Sequence, residues 1–307
     1  MTRIAFLGPP GTNSEEALLS DAELAAATHV ACASIPEVVQ CVEAGRAELG
    51  IVPFENAIEG AVTVALDTLA FESDLLIRQE LVRPIAFNLI ARPGTSLADV
   101  STVVSFPYAT AQCRGWLART LPGATVEAAT STASAVERVA RSRSRGLAAI
   151  GARLAADLHR LEVVAAGIED HPDNATRFVV VGRGVPAPTG HDKTTVVVFQ
   201  REDRPGSLLG ILQEFAARSV NLTRLESRPA KTGLGRYCFA VDLEGHVADE
   251  LVADALRNVH AKHGRVKFLG SYPVHGEAAP ERRRAAGKAW REAVAWLDGV
   301  RGGIDPA

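Results

Sequence analysis

The sequence predicts an α/β protein in two parts: a larger first part folded as two lobes around a cleft, and a smaller second part with the ferredoxin-like order βαββαβ. Three observations carry this expectation. Short apolar runs alternate with amphipathic stretches from residue 3 to about 183. A segment spaced with Gly and Pro, Gly184-Val-Pro-Ala-Pro-Thr-Gly190, then interrupts the pattern. After it a single strand–helix–strand–strand–helix–strand series closes near Pro273. The boundaries that follow are 1–183, a linker at 184–192, a second domain at 193–273 and a tail at 274–307.

In the first part, strands are expected at 3–8, 29–34, 49–54, 75–81, 84–91, 101–106, 125–128, 146–151, 161–165 and 177–182. Helices are expected at 14–27, 36–44, 109–120 and 132–141, where apolar residues recur at helical spacing. Strands interleaved with helices imply largely parallel sheets. Arg83-Pro84 breaks the paired strands at 75–91 in the manner of a hinge. A chain that crosses there and returns near 174–178 makes two lobes with a cleft between them.

In the second part, 194–199 reads as a strand and 206–217 as a helix with Leu208, Ile211, Leu212 and Phe215 on one face. Strands at 220–227 and 236–243 flank the turn Lys231-Thr-Gly-Leu-Gly235. A second helix carries Val252, Ala255, Leu256 and Val259, and 266–272 is the last strand. Beyond a polar Gly/Ala/Pro stretch, Trp290, Ala293, Val294 and Leu297 form the stripe of a tail helix, expected to pack on a partner chain.

Composition bounds the function. Hydrophobic residues make up 47% of the 307 positions and charged residues 22%, an ordinary globular balance. A net charge of −3 gives no reason to expect nucleic acid, and the cluster Arg282, Arg283, Arg284 reads as a solvated helix face. The run Ile4–Leu7 is shorter than a secretory core and no stretch has membrane-spanning length, so the expectation is a cytoplasmic protein with no membrane partner. Cys32, Cys41, Cys113 and Cys238 lack metal-ligand spacing and read as reduced thiols; no metal site is expected.

Four stretches could carry chemistry. At 49–60 an apolar run ends in a carboxylate, an amide and a second carboxylate, which puts Glu55 and Asn56 at the carboxyl end of a strand where open α/β sheets bind ligands. Gly8-Pro-Pro-Gly11 opens a helix at Thr12, Asn13 and Ser14; Thr12 and Glu15 have capping-box spacing, and the same N–H groups suit a carboxylate. Ser105 ends a strand ahead of a helix containing Gln112, with no His–Asp pair near enough in sequence to make a nucleophile. In Asp173-Asn-Ala-Thr-Arg-Phe178, Thr176 could donate a directed hydrogen bond to a departing hydroxyl, and Arg177 could clamp a carboxylate. A strand-start threonine and an arginine bridging the lobes would use the same residues structurally.

Taken together these stretches resemble the prephenate dehydratase family, in its monofunctional actinobacterial form. The family's Gly-Pro-x-Gly-Thr stands at 8–12, its Pro-x-Glu-Asn-Ser-x-Glu-Gly at 53–60, its Ser-x-Pro-x-Ala-x-Ala-Gln-Cys at 105–113 and its Asn-x-Thr-Arg-Phe at 174–178. Further on, Gly-Ala-Leu and Glu-Ser-Arg-Pro stand as Gly206-Ser207-Leu208 and Glu226-Ser227-Arg228-Pro229. The resemblance implies a catalytic domain like type 2 periplasmic binding proteins, followed by an ACT regulatory domain, with no chorismate mutase domain ahead of the first strand. It implies decarboxylative dehydration of prephenate without a cofactor, in a homodimer or homotetramer that binds L-phenylalanine between ACT domains. Thr176, Glu55 and Asn56 take the catalytic positions; Thr12, Ser14, Ser105, Gln112, Arg177 and Phe178 take substrate positions. Gly206, Ser207, Leu208, Glu226, Ser227 and Arg228 take effector positions. The chain departs from the family pattern at Asn13, Ala57, Phe106, Tyr108 and Ser207. Arogenate dehydration and non-catalytic sensing of aromatic amino acids are the alternatives.

Overall fold

The computed structural model describes residues 2–233, 235–276 and 281–302. Leu234 of the expected turn, residues 277–280 of the polar stretch and the side chains of Arg282, Arg283 and Arg284 lie outside the described residues. The chain divides into two compact units, Met1–Thr68 with Leu81–Val181, and Leu69–Glu80 with Gly182–Ala307.

The first unit opens with β1 (Arg3–Leu7), α1 (Asn13–Leu19), α2 (Ala22–Ala25), β2 (Thr28–Cys32), α3 (Ile35–Glu43) and β3 (Leu49–Asn56). The short β4 (Gly60–Ala61), α4 (Thr63–Asp67) and a π-helical turn at Thr68–Glu72 lead to β5 (Leu76–Pro84). The helix expected at 14–27 is two helices, because Asp21 caps a new one: its Oδ1 accepts from the N–H of Glu23 (3.0 Å) and Leu24 (3.1 Å). After Pro84 the chain crosses into a second sheet with β6 (Asn88–Ala91), β7 (Thr102–Ser105), α5 (Pro107–Gln112), α6 (Arg114–Thr120) and β8 (Thr125–Ala128). It continues through α7 (Thr132–Arg141), β9 (Leu147–Gly151), α8 (Arg153–Leu158) and β10 (Glu162–Ala165), then returns to the first sheet as β11 (Ala175–Gly182). The 109–120 helix begins two residues early, at Pro107, and breaks at Cys113.

The first sheet has the order β2-β1-β3-β11-β5 with β4 paired to β3; the second has β10-β6-β9-β7-β8. Strands β1, β2 and β3 run parallel, as do β7, β8 and β9. Strand β6, entering from the crossing, is antiparallel to both β9 and β10, so the second sheet is mixed rather than largely parallel. Each lobe has its own core, Ile4, Phe6, Leu18, Ile51, Leu81 and Phe178 in one, and Leu89, Val103, Cys113, Leu117, Ala148 and Ile150 in the other. The crossing segments are tied together where Ile85 N–H donates to the Asn174 carbonyl at 2.8 Å.

The second unit contains β12 (Asp192–Gln200), α9 (Ser207–Ala216), β13 (Leu222–Pro229), β14 (Tyr237–Glu244), α10 (Glu250–Lys262) and β15 (Gly264–Pro273). Its sheet is antiparallel in the order β13-β14-β12-β15, the βαββαβ arrangement expected from the sequence. Val196, Val198, Ile211, Phe215, Val241, Leu243, Val252 and Val259 form its core between sheet and helices. Residues 69–80 belong to this unit: Lys193 pairs with the buried Glu80 at 2.8 Å, and a Cβ at Gly270 would overlap the Ile77 carbonyl. The tail helix α11 (Glu281–Arg301) carries Val294, Trp296, Leu297 and Val300 exposed to solvent.

Candidate active site

The carboxyl end of β3, the end of α5 and the start of β11 carry Glu55, Asn56, Gln112, Thr176 and Arg177 within the first unit. At the end of β3, Asn56 closes an Asx turn, its Oδ1 accepting from the N–H of Ile58 and Glu59 at 3.0 Å each. The turn needs a left-handed residue at Gly60 (φ +80°), which lets β4 fold back on Glu55 and Asn56. With its oxygen held by the turn, the Asn56 amide presents Nδ2 to β11. It donates to Asn174 Oδ1 at 2.8 Å and Thr176 Oγ1 at 2.9 Å, with the Ala175 carbonyl at 3.3 Å. The N–H of Ala57 donates to the same carbonyl at 2.8 Å and fixes the two strand ends side by side.

From the second lobe comes Gln112, the last residue of α5, whose carbonyl accepts from Asp170 N–H at 2.7 Å. Its Oε1 accepts from Asn174 Nδ2 at 2.8 Å, and its Nε2 donates to Glu59 Oε1 at 3.2 Å. Beside this amide cluster, Arg177 donates from Nη1 to Glu55 Oε2 at 3.2 Å and lies 5.3 Å from the centroid of the Phe54 ring. The arginine is 8% exposed, so Glu55 and the aromatic face replace much of its hydration. Asn56, Thr176 and Gln112 thus belong to one polar cluster at the strand ends, and the Glu55–Arg177 pair occupies the adjoining positions of β3 and β11.

Other expected residues do different work. Ser105 is fully buried, and its hydroxyl donates to the Ile150 carbonyl at 2.8 Å, so it braces β7 against β9. Phe178 is 1% exposed in the first-lobe core, so it anchors β11 rather than lining a cleft. Thr12 caps α1 by position only: its Oγ1 donates to the Leu7 carbonyl at 2.8 Å, and Glu15 accepts from Gly11 N–H at 2.6 Å, so no capping box forms. Ser14 is buried in the first turn of α1. The lobes meet here: Glu16 Oε1 accepts from Leu154 N–H at 3.1 Å, and a Cβ on Gly11 would lie 2.9 Å from Ala155. Asn174, Glu59 and Glu16 had no role assigned from the sequence. Asn174 and Glu59 sit inside the two polar stretches already singled out, which was the signal for them.

In the second unit, Gly206 holds a left-handed φ of +85° ahead of α9. Ser207 Oγ accepts from Arg204 N–H at 3.2 Å and donates to the Glu202 carbonyl at 3.1 Å, closing the loop on itself. Leu208 packs against the sheet–helix core. On the edge strand β13, Glu226 pairs with Arg224 and faces Arg228 Nε at 3.9 Å, while Ser227 points to the exposed side. Phe199 and Arg228 both register with Cys238 of β14, so the Gly206 loop and the end of β13 share one edge of the sheet. Two strand spacings, about 10 Å, separate Phe199 from Arg228.

The chain matches the family model of prephenate dehydratase over residues 4–185 and that of the ACT domain over 195–261. It is 42% identical over 321 residues to the prephenate dehydratase of Mycolicibacterium vanbaalenii, covering 99% of each chain. The crystal structure of prephenate dehydratase from Arthrobacter aurescens in complex with L-Phe superposes with a TM-score of 0.88 at 41% identity, over 98% of this chain and all 100% of that one. GqqA, a quorum-quenching acylase, superposes at 0.78 with 31% identity, over 91% of this chain and 99% of the other. Full-length identity of this order, with both halves matched in sequence and the same succession of α/β and ACT folds, assigns the chain to the prephenate dehydratase family.

Proposed function

We propose that this chain converts prephenate to phenylpyruvate, water and CO2, with residues 1–183 performing the reaction and 193–273 sensing L-phenylalanine. The observation that carries the reading is the Asn56 Nδ2–Thr176 Oγ1 hydrogen bond of 2.9 Å. Because the amide donates, Thr176 accepts there and its own hydrogen is left to donate to a ligand. Prephenate carries a ring hydroxyl and a carboxylate on opposite ring carbons. As the C–CO2 bond breaks, its electron pair enters the ring and expels the hydroxyl oxygen. That oxygen, hydrogen-bonded by Thr176, takes up a proton from solvent water and leaves as water. Aromatisation supplies the driving force, so the site has to orient and stabilise charge rather than form a covalent intermediate. Arg177 supplies positive charge for the carboxylates, and Asn56 directs the Thr176 hydroxyl.

The likeness to GqqA favours a second reading, hydrolysis of an acylated amine. That chemistry needs an activated nucleophile. Ser105 instead donates to a backbone carbonyl and Thr176 accepts from an amide, so the hydrogen bonds of this cluster support the dehydratase. The deciding experiment follows phenylpyruvate formation from prephenate, with arogenate and an N-acyl amine in parallel. Prephenate turnover supports the proposal; acyl release without it overturns the proposal.

For regulation, Gly206, Ser207 and Leu208 of one ACT domain and Glu226, Ser227 and Arg228 of a neighbouring copy are proposed to enclose L-phenylalanine. The Arthrobacter relative is in complex with L-Phe, which supports L-phenylalanine as the effector. It requires a homodimer or homotetramer, measurable by light scattering with and without L-phenylalanine. Among the described residues no helix is long and apolar enough to cross a membrane, which agrees with a proposed cytoplasmic location.

A further inference from the structure

We propose that Asn174 is a positioning residue that sets the direction of the hydrogen bond at Thr176, acting through Asn56; this rests on the dehydratase reading above. Asn56 Nδ2 has two hydrogens but three acceptors within reach: Asn174 Oδ1 at 2.8 Å, Thr176 Oγ1 at 2.9 Å and the Ala175 carbonyl at 3.3 Å. Asn174 takes one hydrogen and holds the amide plane so that the other faces Thr176. Its own direction is fixed from the far side. Asn174 Nδ2 donates to Gln112 Oε1 at 2.8 Å, and Gln112 Nε2 donates to Glu59 Oε1 at 3.2 Å. An ionised carboxylate only accepts, so Glu59 forces every amide in the chain to point toward it. The circuit closes because Glu59 N–H donates to Asn56 Oδ1 at 3.0 Å. Reversing one amide would set donor against donor or acceptor against acceptor at each neighbour. Asn174 is 2% exposed, so water does not readily replace it in the circuit.

The circuit has a second consequence. Glu59 comes from the first lobe and Gln112 from the second, so the circuit spans both lobes.

The test compares the full-length wild type with Asn174→Asp and Asn174→Leu. A protonated aspartic acid has one acceptor and one donor, the pattern of asparagine; the carboxylate has only acceptors. Asn174→Leu is expected to lose roughly ten- to hundredfold in kcat at every pH, with a much smaller change in KM. Asn174→Asp should be comparably impaired at neutral pH, and its kcat relative to wild type should climb as pH falls and the new carboxyl protonates. Glu55, Glu59 and Arg177, the ionisable groups of the cluster, are common to both proteins and cancel in that ratio. A flat ratio, wild-type kcat in Asn174→Leu, or a change confined to KM overturns the proposal. Side-chain amide NMR of Asn56 supplies a readout independent of turnover. Its NH2 protons should exchange with water faster in either variant at neutral pH, and an unchanged rate also overturns the proposal. A wild type inactive on prephenate but showing this amide response would sink the dehydratase reading and leave the circuit standing.

Discussion

Replacing Thr176 with valine removes one oxygen and keeps the side-chain shape, so its effects on folding and on catalysis can be separated. On folding, Asn56 Nδ2 loses the 2.9 Å bond to Thr176 but keeps Asn174 Oδ1 at 2.8 Å and the Ala175 carbonyl at 3.3 Å. The loss is that of an ordinary intramolecular hydrogen bond, about 0.5–1.5 kcal/mol. In a unit of this size that lowers Tm by a few degrees, on the order of 2–4 °C per kcal/mol. On catalysis, the departing oxygen loses a preorganised donor, about 2.7–4 kcal/mol or roughly 10²–10³ in kcat. The variant should therefore be fully folded at 25 °C and nearly inactive, with KM changing far less than kcat. Thr176→Ser keeps the donor and should lie within about tenfold of wild type, since it lacks only a methyl contact. The assay is phenylpyruvate formation at saturating prephenate, beside a thermal melt of each protein. A valine variant with kcat within about threefold of wild type, below any loss of a preorganised donor, would refute the assignment.

Three further outcomes are expected. Glu214 on α9 accepts from Lys262 at 3.0 Å and Arg218 at 2.8 Å, and the Lys262 ammonium, then Arg218, hold its carboxyl below the usual range. The stability it contributes is complete above the ordinary glutamate value near 4.3 and is lost as pH falls through the lower folded value. Melting curves of Glu214→Gln should therefore lie below wild type at neutral pH and converge with it in strong acid. Burial pushes the Cys113 thiol up to about 12 and the Cys32 thiol up to about 11, so at pH 8 neither should react with a thiol reagent until denaturant is added. Ser207→Ala removes both hydrogen bonds that close the 202–207 loop but restores the alanine of the family pattern, and calorimetry should show L-phenylalanine bound at least as tightly as by the wild type.

Much of the fold was legible because its signals are local. Strand 125–128 and helix 132–141 stand at the positions their patterns give, the helix started by reciprocal Ser131–Ser134 capping. At 14–27 a polar residue outcompeted the apolar pattern: Asp21 begins a new helix within a stretch read as one helix. Helix α8, six residues rich in alanine, is too short to show a period. The site divides the same way. Glu55, Asn56 and Thr176 are visible as polar residues at strand ends, yet the partners that orient them lie 118 to 122 positions away. Ser105 and Phe178 carry family positions but are used for bracing and core packing, a distinction set by which face of the strand turns inward.

Residues 69–80 lie a hundred positions ahead of the linker, yet they pack with the strands that follow it, while β5 carries the same chain onward into the first sheet. The sensing half is therefore not a cassette appended behind a finished enzyme. A gene severed at Gly184 would leave the upstream fragment with Ile77 and Glu80 stripped of Gly270 and Lys193, and would leave the downstream fragment missing a piece of its own packing. Recombination that exchanged regulatory modules among relatives would have to exchange this distant segment with them. Selection on either half is thereby felt by the other, whatever effector the module comes to recognise.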